Sequence, residues 1–320
     1  MSEIKILIAD DRHKNYQQEK EAFRDIDAEI IIEKSLDEDV LAEKASDADA
    51  VLVNLAPMNR KVISAMQKCK CVCRYGVGYD NVDVDALKEK GIILTNVPDY
   101  CQEDVSDHAL ALLMDCVRKV SRKDRAVRRG EWNLTGVQPI FRLKDKIFGF
   151  VGYGGIGKCL HRKIDGFGMS KVLIYDPYLD ADAIVYDNAE LVSLEELCSQ
   201  ADYISIHAPL NDETRGLIGQ KQFEMMKEGV IVINTSRGGL IDTDALISAL
   251  KSKEGMSAGL DVFENEPLEE GSDLRNLENI TMSDHSGWYS EESAVELKTK
   301  AAANVLSVLK NEEPKYKVKI

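Results

Sequence analysis

Short apolar runs alternate with amphipathic helical segments along nearly the whole chain, and this alternation narrows the possible folds more than any other feature. In the first hundred residues the runs are "IKILIAD", "AEIIIE", "AVLVN", "CVCRYG" and "GIILTNV". A second series starts around Gly149: "IFGFVG", "KVLIYD", "YISIHAP", "VIVINTS", "AGLDVF" and "NITMSD". Strands joined by helical crossovers pair in parallel, so the chain is expected to be α/β. Between the two series, "EDVSDHALALLMDCVRKVSRKDRAVRRGEW" reads as a long connecting helix. After the last run, "SEESAVELKTKAAANVLSVLK" reads as a helix that returns to the first lobe.

A length of 320 residues suits about two domains of ordinary size. The expected division is a discontinuous domain, 1–100 with 290–320, and a continuous one, 101–289. Both are expected to be Rossmann-like or flavodoxin-like, with parallel sheets and the ligands held in the cleft between them. The formal net charge is -15 and the sequence pI is about 4.9. A general affinity for nucleic acid or for anionic lipid is therefore not expected, and the basic run Arg118 to Arg129 reads as a solvated helix face. No apolar stretch reaches the roughly 18 residues of a membrane span, and "MSEIKILIAD" lacks the layout of a signal peptide, so the expected location is the cytoplasm. Seven cysteines, an odd number, argue for reduced thiols. Cys69, Cys71 and Cys73 resemble a metal cluster, but period-two spacing puts them on one face of a strand with no histidine nearby. They read as small core residues, and no metal is expected.

The stretch "IFGFVGYGGIGKCL" contains two phosphate-binding patterns at once. Gly152 to Lys158 spells G-x-x-x-x-G-K, yet a P-loop needs Ser or Thr next to hold magnesium, and Cys159 is a poor ligand for so hard a cation. Gly152, Gly154 and Gly157 spell G-x-G-x-x-G, preceded by an apolar strand and followed by a helical pattern. The next strand ends at an acid, Asp176, about 20 residues further on. In this reading Gly152 makes the tight turn, Gly154 lets backbone approach a pyrophosphate, and Gly157 lets helix pack on strand. The amides near Gly155 and Ile156 would face the anion. Asp176 would accept the ribose hydroxyls and repel a 2'-phosphate, which favours NAD over NADP. Six runs in the second series match the strand count of a dinucleotide-binding sheet.

A nicotinamide needs a group that moves a proton and, for an acidic substrate, a cation. Of the five histidines, His285 in "NITMSDHSGWYS" lies just beyond the last strand, where open α/β sheets build their sites. "VIVINTSRGGLIDTDAL" places Arg237 directly after another strand, and "AGLDVFENEP" places Asp261 and Glu266 after a third. Singly, each has a structural explanation; together they fall at the carboxyl edge of one sheet.

With "VGYGGIGK", "HAPLNDETRGLI", "INTSRGGLID", "DVFENEP" and the late histidine in this order, the chain resembles the D-isomer-specific 2-hydroxyacid dehydrogenases over essentially its full length. "VPDYCQEDVSDHALALL" and "HSGWYSEES" look most like the branch that contains C-terminal binding protein and its bacterial enzyme relatives. The resemblance implies hydride transfer between NAD and a small 2-oxo or 2-hydroxy acid. It gives Arg237 the substrate carboxylate and carbonyl oxygen, His285 the proton, and Glu266 a hydrogen bond to His285, where a carboxylate favours the charged form of an imidazole. It further implies that Asp261 orients the nicotinamide amide, that His207, Pro209 and Thr214 line the cofactor groove, and that Thr235 lies beside it. "CRYGVGYDNVDV" is similar to the family's substrate loop, in which backbone amides from Tyr75 through Gly76 and Val77 to Gly78 hold the carboxylate and Arg74 adds a cation. Val77 would also touch the cofactor. The family is typically dimeric, and the segment after Glu103 suits a dimer arm.

Three departures bear on this reading. Asp284 stands where the family commonly has proline before the histidine. Trp288 resembles an aromatic pocket wall and is equally well read as a core residue. Formate dehydrogenases resemble a version with glutamine at the Glu266 position. Two alternatives remain open at this point: an NAD(H)-sensing interaction protein of the C-terminal binding protein type, and a short phosphoglycerate or hydroxypyruvate dehydrogenase.

Overall fold

The computed structural model describes residues 4–9, 13, 15–133 and 139–320. The chain divides into two compact units, Met1–Cys101 with Ser290–Ile320 (unit 1) and Gln102–Tyr289 (unit 2). Each carries one sheet whose strands all pair in parallel.

Unit 1 holds β1 (Ile4–Ala9), β2 (Ala28–Glu33), β3 (Ala50–Val53), β4 (Cys71–Arg74) and β5 (Ile93–Thr95), in the spatial order β2-β1-β3-β4-β5. That is the flavodoxin-like order of a doubly wound sheet. Strands β3 and β4 are buried along their whole length, because a parallel sheet covered on both faces has no wet side. On one face lie the helices Glu38–Ala45, Arg60–Ala65 and Val84–Lys90. The helix Glu291–Leu309 packs on β3, β4 and β5, and the Cys73 thiol reaches the Ala301 carbonyl at 3.6 Å. Cys71 and Cys73 are buried in β4, and Cys69 lies just before it.

Unit 2 holds β6 (Ile147–Val151), β7 (Lys171–Tyr175), β8 (Ala189–Leu191), β9 (Tyr203–Ile206), β10 (Ile231–Asn234), β11 (Ser257–Leu260) and β12 (Ile280–Met282). Their order is β12-β11-β10-β9-β6-β7-β8. The chain starts in the middle, winds outward to β8, then returns to β9 and winds the other way. The carboxyl ends of β6 and β9 therefore flank the point where the winding reverses, which is where such sheets leave a crevice.

Two features differ from the sequence reading. Strand β8 is a seventh strand, three residues at the sheet edge and partly exposed, too short to show a period. The long connector is two helices, Gln102–Arg118 and Val120–Arg128, separated by Lys119 in a left-handed conformation (φ 56°). The Asp115 carboxylate accepts the Ser121 amide at 2.7 Å and so restarts the second helix. The first of the two buries Ala109, Leu112, Leu113 and Cys116 against the sheet.

Candidate active site

The glycine turn after β6 is built as its spacing requires. Gly152 has φ +87°, and a Cβ there would sit 2.6 Å from the Ala208 amide nitrogen, so only glycine fits both the turn and its neighbour. Gly154 is the N-cap of the helix Gly155–Ile164, and no side chain caps that end. Beyond its chain neighbours and its own helix, no atom of the described residues lies within 4 Å of the place where a Gly154 Cβ would be. The first amides of that helix have no capping side chain, and the positive end of the helix dipole lies behind them. At the end of β7, Asp176 accepts the Tyr153 amide on Oδ2 (2.9 Å) and the Tyr178 amide on Oδ1 (3.0 Å). The acid thus locks the glycine turn to the neighbouring strand, while each carboxylate oxygen keeps a lone pair.

After β9, His207 bonds Ser205 Oγ through Nε2 at 2.8 Å. Burial pushes its imidazole down to about 4, so it is neutral at physiological pH. Thr214 donates its hydroxyl to the Pro209 carbonyl (2.6 Å) and accepts the Asn211 amide (2.9 Å), which fixes the 209–214 loop. Beyond β10, the buried Thr235 hydroxyl has no hydrogen-bond partner among the described residues, and neither has His207 Nδ1. Orphaned polar atoms at this edge, an uncapped helix end and an acid at the end of the next strand together fit a dinucleotide.

The remaining residues stand at the carboxyl ends of β10, β11 and β12. Arg237 follows β10, with Nη1 donating to the Ser236 carbonyl at 2.9 Å. Next to it, a Cβ on Gly238 would lie 1.8 Å from the Phe263 carbonyl carbon. This close approach brings the loop after β11, which carries Glu266, against the loop that carries Arg237. Glu266 accepts the Phe263 amide on Oε1 (3.0 Å) and meets His285 Nδ1 with Oε2 (2.7 Å). Burial raises the Glu266 carboxyl, but the His285 hydrogen bond and charge, the Phe263 amide and the charge of Arg237 outweigh it and hold the group below its ordinary value. His285 has φ 57°, an uncommon backbone for a non-glycine residue, secured by its amide donating to the Asp261 carbonyl at 2.8 Å.

Asp261 anchors this loop. Its Oδ1 accepts the Ser283 hydroxyl (2.6 Å) and the Ser286 amide (3.0 Å), and Oδ2 accepts the Gly287 amide (2.9 Å). Burial works against the charge, yet the hydrogen bonds from His108, Ser283 and Gly287 prevail and hold the carboxyl down at about 2. His108 Nε2 lies 2.7 Å from Ser283 Oγ. His108 and Ser283 were not singled out from the sequence: they are 175 positions apart, and no local spacing announces such a pair. Asp284 is exposed, and the Trp288 ring stands edge-on to Tyr289 at 5.4 Å. Arg74 to Gly78 lie in unit 1, at the end of β4.

A Rossmann-ordered sheet with a dinucleotide crevice and an arginine, a glutamate and a histidine at its carboxyl edge defines the dehydrogenase class. Residues 110–287 match the model of the "D-isomer specific 2-hydroxyacid dehydrogenase, NAD binding domain". The chain belongs to the D-isomer-specific 2-hydroxyacid dehydrogenase family, and it is an NAD-dependent oxidoreductase of that class. It is 37% identical over 263 residues to a glyoxylate reductase of Thermococcus litoralis, covering 80% of this chain and 79% of the relative. A hydroxypyruvate reductase of Blautia hydrogenotrophica is 36% identical over 268 residues, with 82% and 83% covered. Among solved structures, a glyoxylate reductase from Paecilomyes thermophila superimposes with a TM-score of 0.89 at 31% identity, over 99% of both chains.

Proposed function

We propose that this chain reduces a small 2-oxo acid of the glyoxylate or hydroxypyruvate kind to the 2-hydroxy acid, the D isomer where the product is chiral, with His285 as proton donor. The observation that carries the reading is the 2.7 Å contact between His285 Nδ1 and Glu266 Oε2, with Arg237 in electrostatic reach of the same carboxylate. The activities named for the similar proteins support the substrate class.

Bound NADH supplies the hydride. Gly152, Gly154, Gly155, Ile156 and Gly157 would hold its pyrophosphate, Asp176 its adenosine ribose, and His207, Pro209, Thr214 and Thr235 the groove between. Asp261, with one lone pair left on Oδ2, would take the nicotinamide amide. The guanidinium of Arg237 grips the substrate's carboxylate and its carbonyl oxygen, which orients the carbonyl and draws charge onto that oxygen. His285 keeps its Nδ1 proton on Glu266 and passes the Nε2 proton to the oxygen as the C–H bond forms. The ring is left neutral, and Glu266 holds its tautomer and plane. In the oxidative direction the same nitrogen takes the proton back. In unit 1, the amides of Gly76, Val77 and Gly78 and the Arg74 cation would bind the substrate carboxylate, with Val77 also touching the cofactor; the Tyr75 amide, expected to join them, is committed to the Val53 carbonyl at 2.7 Å. Trp288 shapes the side-chain pocket.

The enzyme works as a cytoplasmic homodimer. Support comes from the exposed apolar side chains Val120 (59%), Val127 (51%), Trp132 (88%) and Phe141 (58%), gathered along one stretch of unit 2, and from seven cysteines that are in no disulfide. No described helix is long and apolar enough to cross a membrane. The test is loss of NADH absorbance with glyoxylate, hydroxypyruvate, pyruvate and branched 2-oxo acids, with His285→Gln as control. Turnover that falls by about 10²-fold or more in the variant is expected; equal turnover in the two proteins would sink the assignment of the proton donor.

A further inference from the structure

Glu19 lies on the short helix Gln17–Phe23, away from every motif read in the sequence, and it is fully buried at 0% exposure. Its Oε1 accepts the phenol hydrogen of Tyr75 at 2.7 Å, and Tyr75 itself is 2% exposed. Its Oε2 has no hydrogen-bond partner among the described residues. Burial raises this carboxyl, and the Tyr75 hydrogen bond and the charge of the buried Lys298 pull it down. An apolar side chain would cost less at such a place, so the acid is explained by what it holds. It holds Tyr75, whose ring also meets the His13 ring edge-on at 5.0 Å.

Around Tyr75 the loop is tied down through its carbonyls. Val97 donates its amide to Gly76 O (2.9 Å), Asn96 Nδ2 donates to Val77 O (2.7 Å), and the Tyr75 amide donates to Val53 O (2.7 Å). The amides of Gly76, Val77 and Gly78 have no acceptor among the described residues. Such a run of uncommitted amides is a nest for an anion, and its geometry depends on how firmly the residue before it is held.

We infer that Glu19 is a positioning residue for substrate binding, acting through the Tyr75 hydroxyl on the amides of residues 76–78. The inference rests on the proposed role of that loop in holding the substrate carboxylate. A loosened loop weakens ground state and transition state alike, so KM for the 2-oxo acid rises while kcat stays.

The experiment compares steady-state kinetics of the full-length wild type with Tyr75→Phe, Glu19→Leu, Glu19→Gln and the Tyr75→Phe/Glu19→Leu double variant, on the best substrate of the panel. Loss of the hydrogen bond should raise KM roughly tenfold in Tyr75→Phe and in Glu19→Leu, with kcat and KM for NADH within about twofold. Glu19→Gln, whose carbonyl accepts the same phenol hydrogen, should restore KM to within about threefold. The double variant should be no worse than either single one. Tyr75→Phe removes one oxygen and keeps the ring, so it reads out even if Glu19→Leu does not fold. Unchanged KM in Tyr75→Phe, with or without a lower Tm, overturns the inference and leaves the functional reading standing. A wild type that reduces no 2-oxo acid overturns both.

Discussion

Replacing Asp261 by Asn removes one charge and changes almost no volume, so its effect can be worked from the hydrogen bonds alone. The carboxylate accepts the Ser283 hydroxyl and the Ser286 amide on Oδ1, with His108 Nε2 also 3.3 Å from that oxygen, and the Gly287 amide on Oδ2, at 2% exposure. The Asn carbonyl can serve either Ser283 and Ser286 or Gly287, and in the better orientation its NH2 faces the Gly287 N–H. Holding the carboxyl down at about 2 corresponds to about 2 kcal/mol in favour of the charged form. A buried amide left without an acceptor costs a further 1 kcal/mol or so, giving about 3 kcal/mol in total. Both tryptophans of the chain, Trp132 and Trp288, lie in unit 2, so tryptophan fluorescence during urea unfolding reports on that unit. With a slope of about 2 kcal/mol per molar urea, the midpoint should fall by about 1.5 M at pH 7.

The pH dependence follows from the sign of the shift. A depressed acid contributes fully above its unfolded value, about 3.9, and the contribution is lost as pH falls through the folded value of about 2. The gap between wild type and variant should therefore be constant from pH 7 to about pH 5 and narrow as pH drops from about 4 towards 2. Because the Asp261 carbonyl also holds the His285 amide, kcat should fall by about 10²-fold as the ring loses its position. A midpoint shift under about 0.3 M, or a gap that stays constant down to pH 2.5, would refute this account of the loop.

Three further outcomes are expected. Arg237→Lys would trade the proposed forked two-point grip for a point charge, so KM for the 2-oxo acid should rise about 10- to 100-fold in initial-rate assays. Asp176→Ala removes the acceptor of the Tyr153 and Tyr178 amides and, in the proposed cofactor site, the charge that would oppose a 2'-phosphate. The NADH-to-NADPH ratio of kcat/KM should drop roughly tenfold or more, and an unchanged ratio would remove Asp176 from cofactor choice. Gly238→Ala places a methyl 1.8 Å from the Phe263 carbonyl carbon, which neither backbone can absorb in place. A loss of about 3 kcal/mol is expected, seen by calorimetry as a Tm lower by roughly 6 °C or more.

Much of the architecture is legible in the sequence because its cause is local. The runs "IFGFVG" and "VIVINTS" are apolar on both faces, and only a covered parallel strand makes use of that. The glycine spacing from 152 to 157 states its own turn, since Gly152 stands where no Cβ fits. Strand β8 escaped because three half-exposed residues at a sheet edge leave no period to detect. The break at Lys119 escaped because "CVRKVSRKD" keeps a helical pattern through it, and the cap that restarts the helix is the side chain of Asp115, six positions before Ser121.

The sequence by itself determined the kinds and order of most elements and marked Arg237, Glu266, His285 and Asp176 as the candidate site residues. Those follow from periodicity and from short motifs, in which residues meet because they are covalent neighbours. Tertiary structure alone decided who holds them. Asp261 is fixed by Ser283, Ser286 and Gly287 from beyond another strand, and His108 reaches Ser283 from a helix 175 residues earlier. Glu19 finds Tyr75 across 56 positions. Such pairings depend on which strands lie side by side and on how far each loop travels past its strand, and both are set by the packing of the whole unit rather than by any window of sequence.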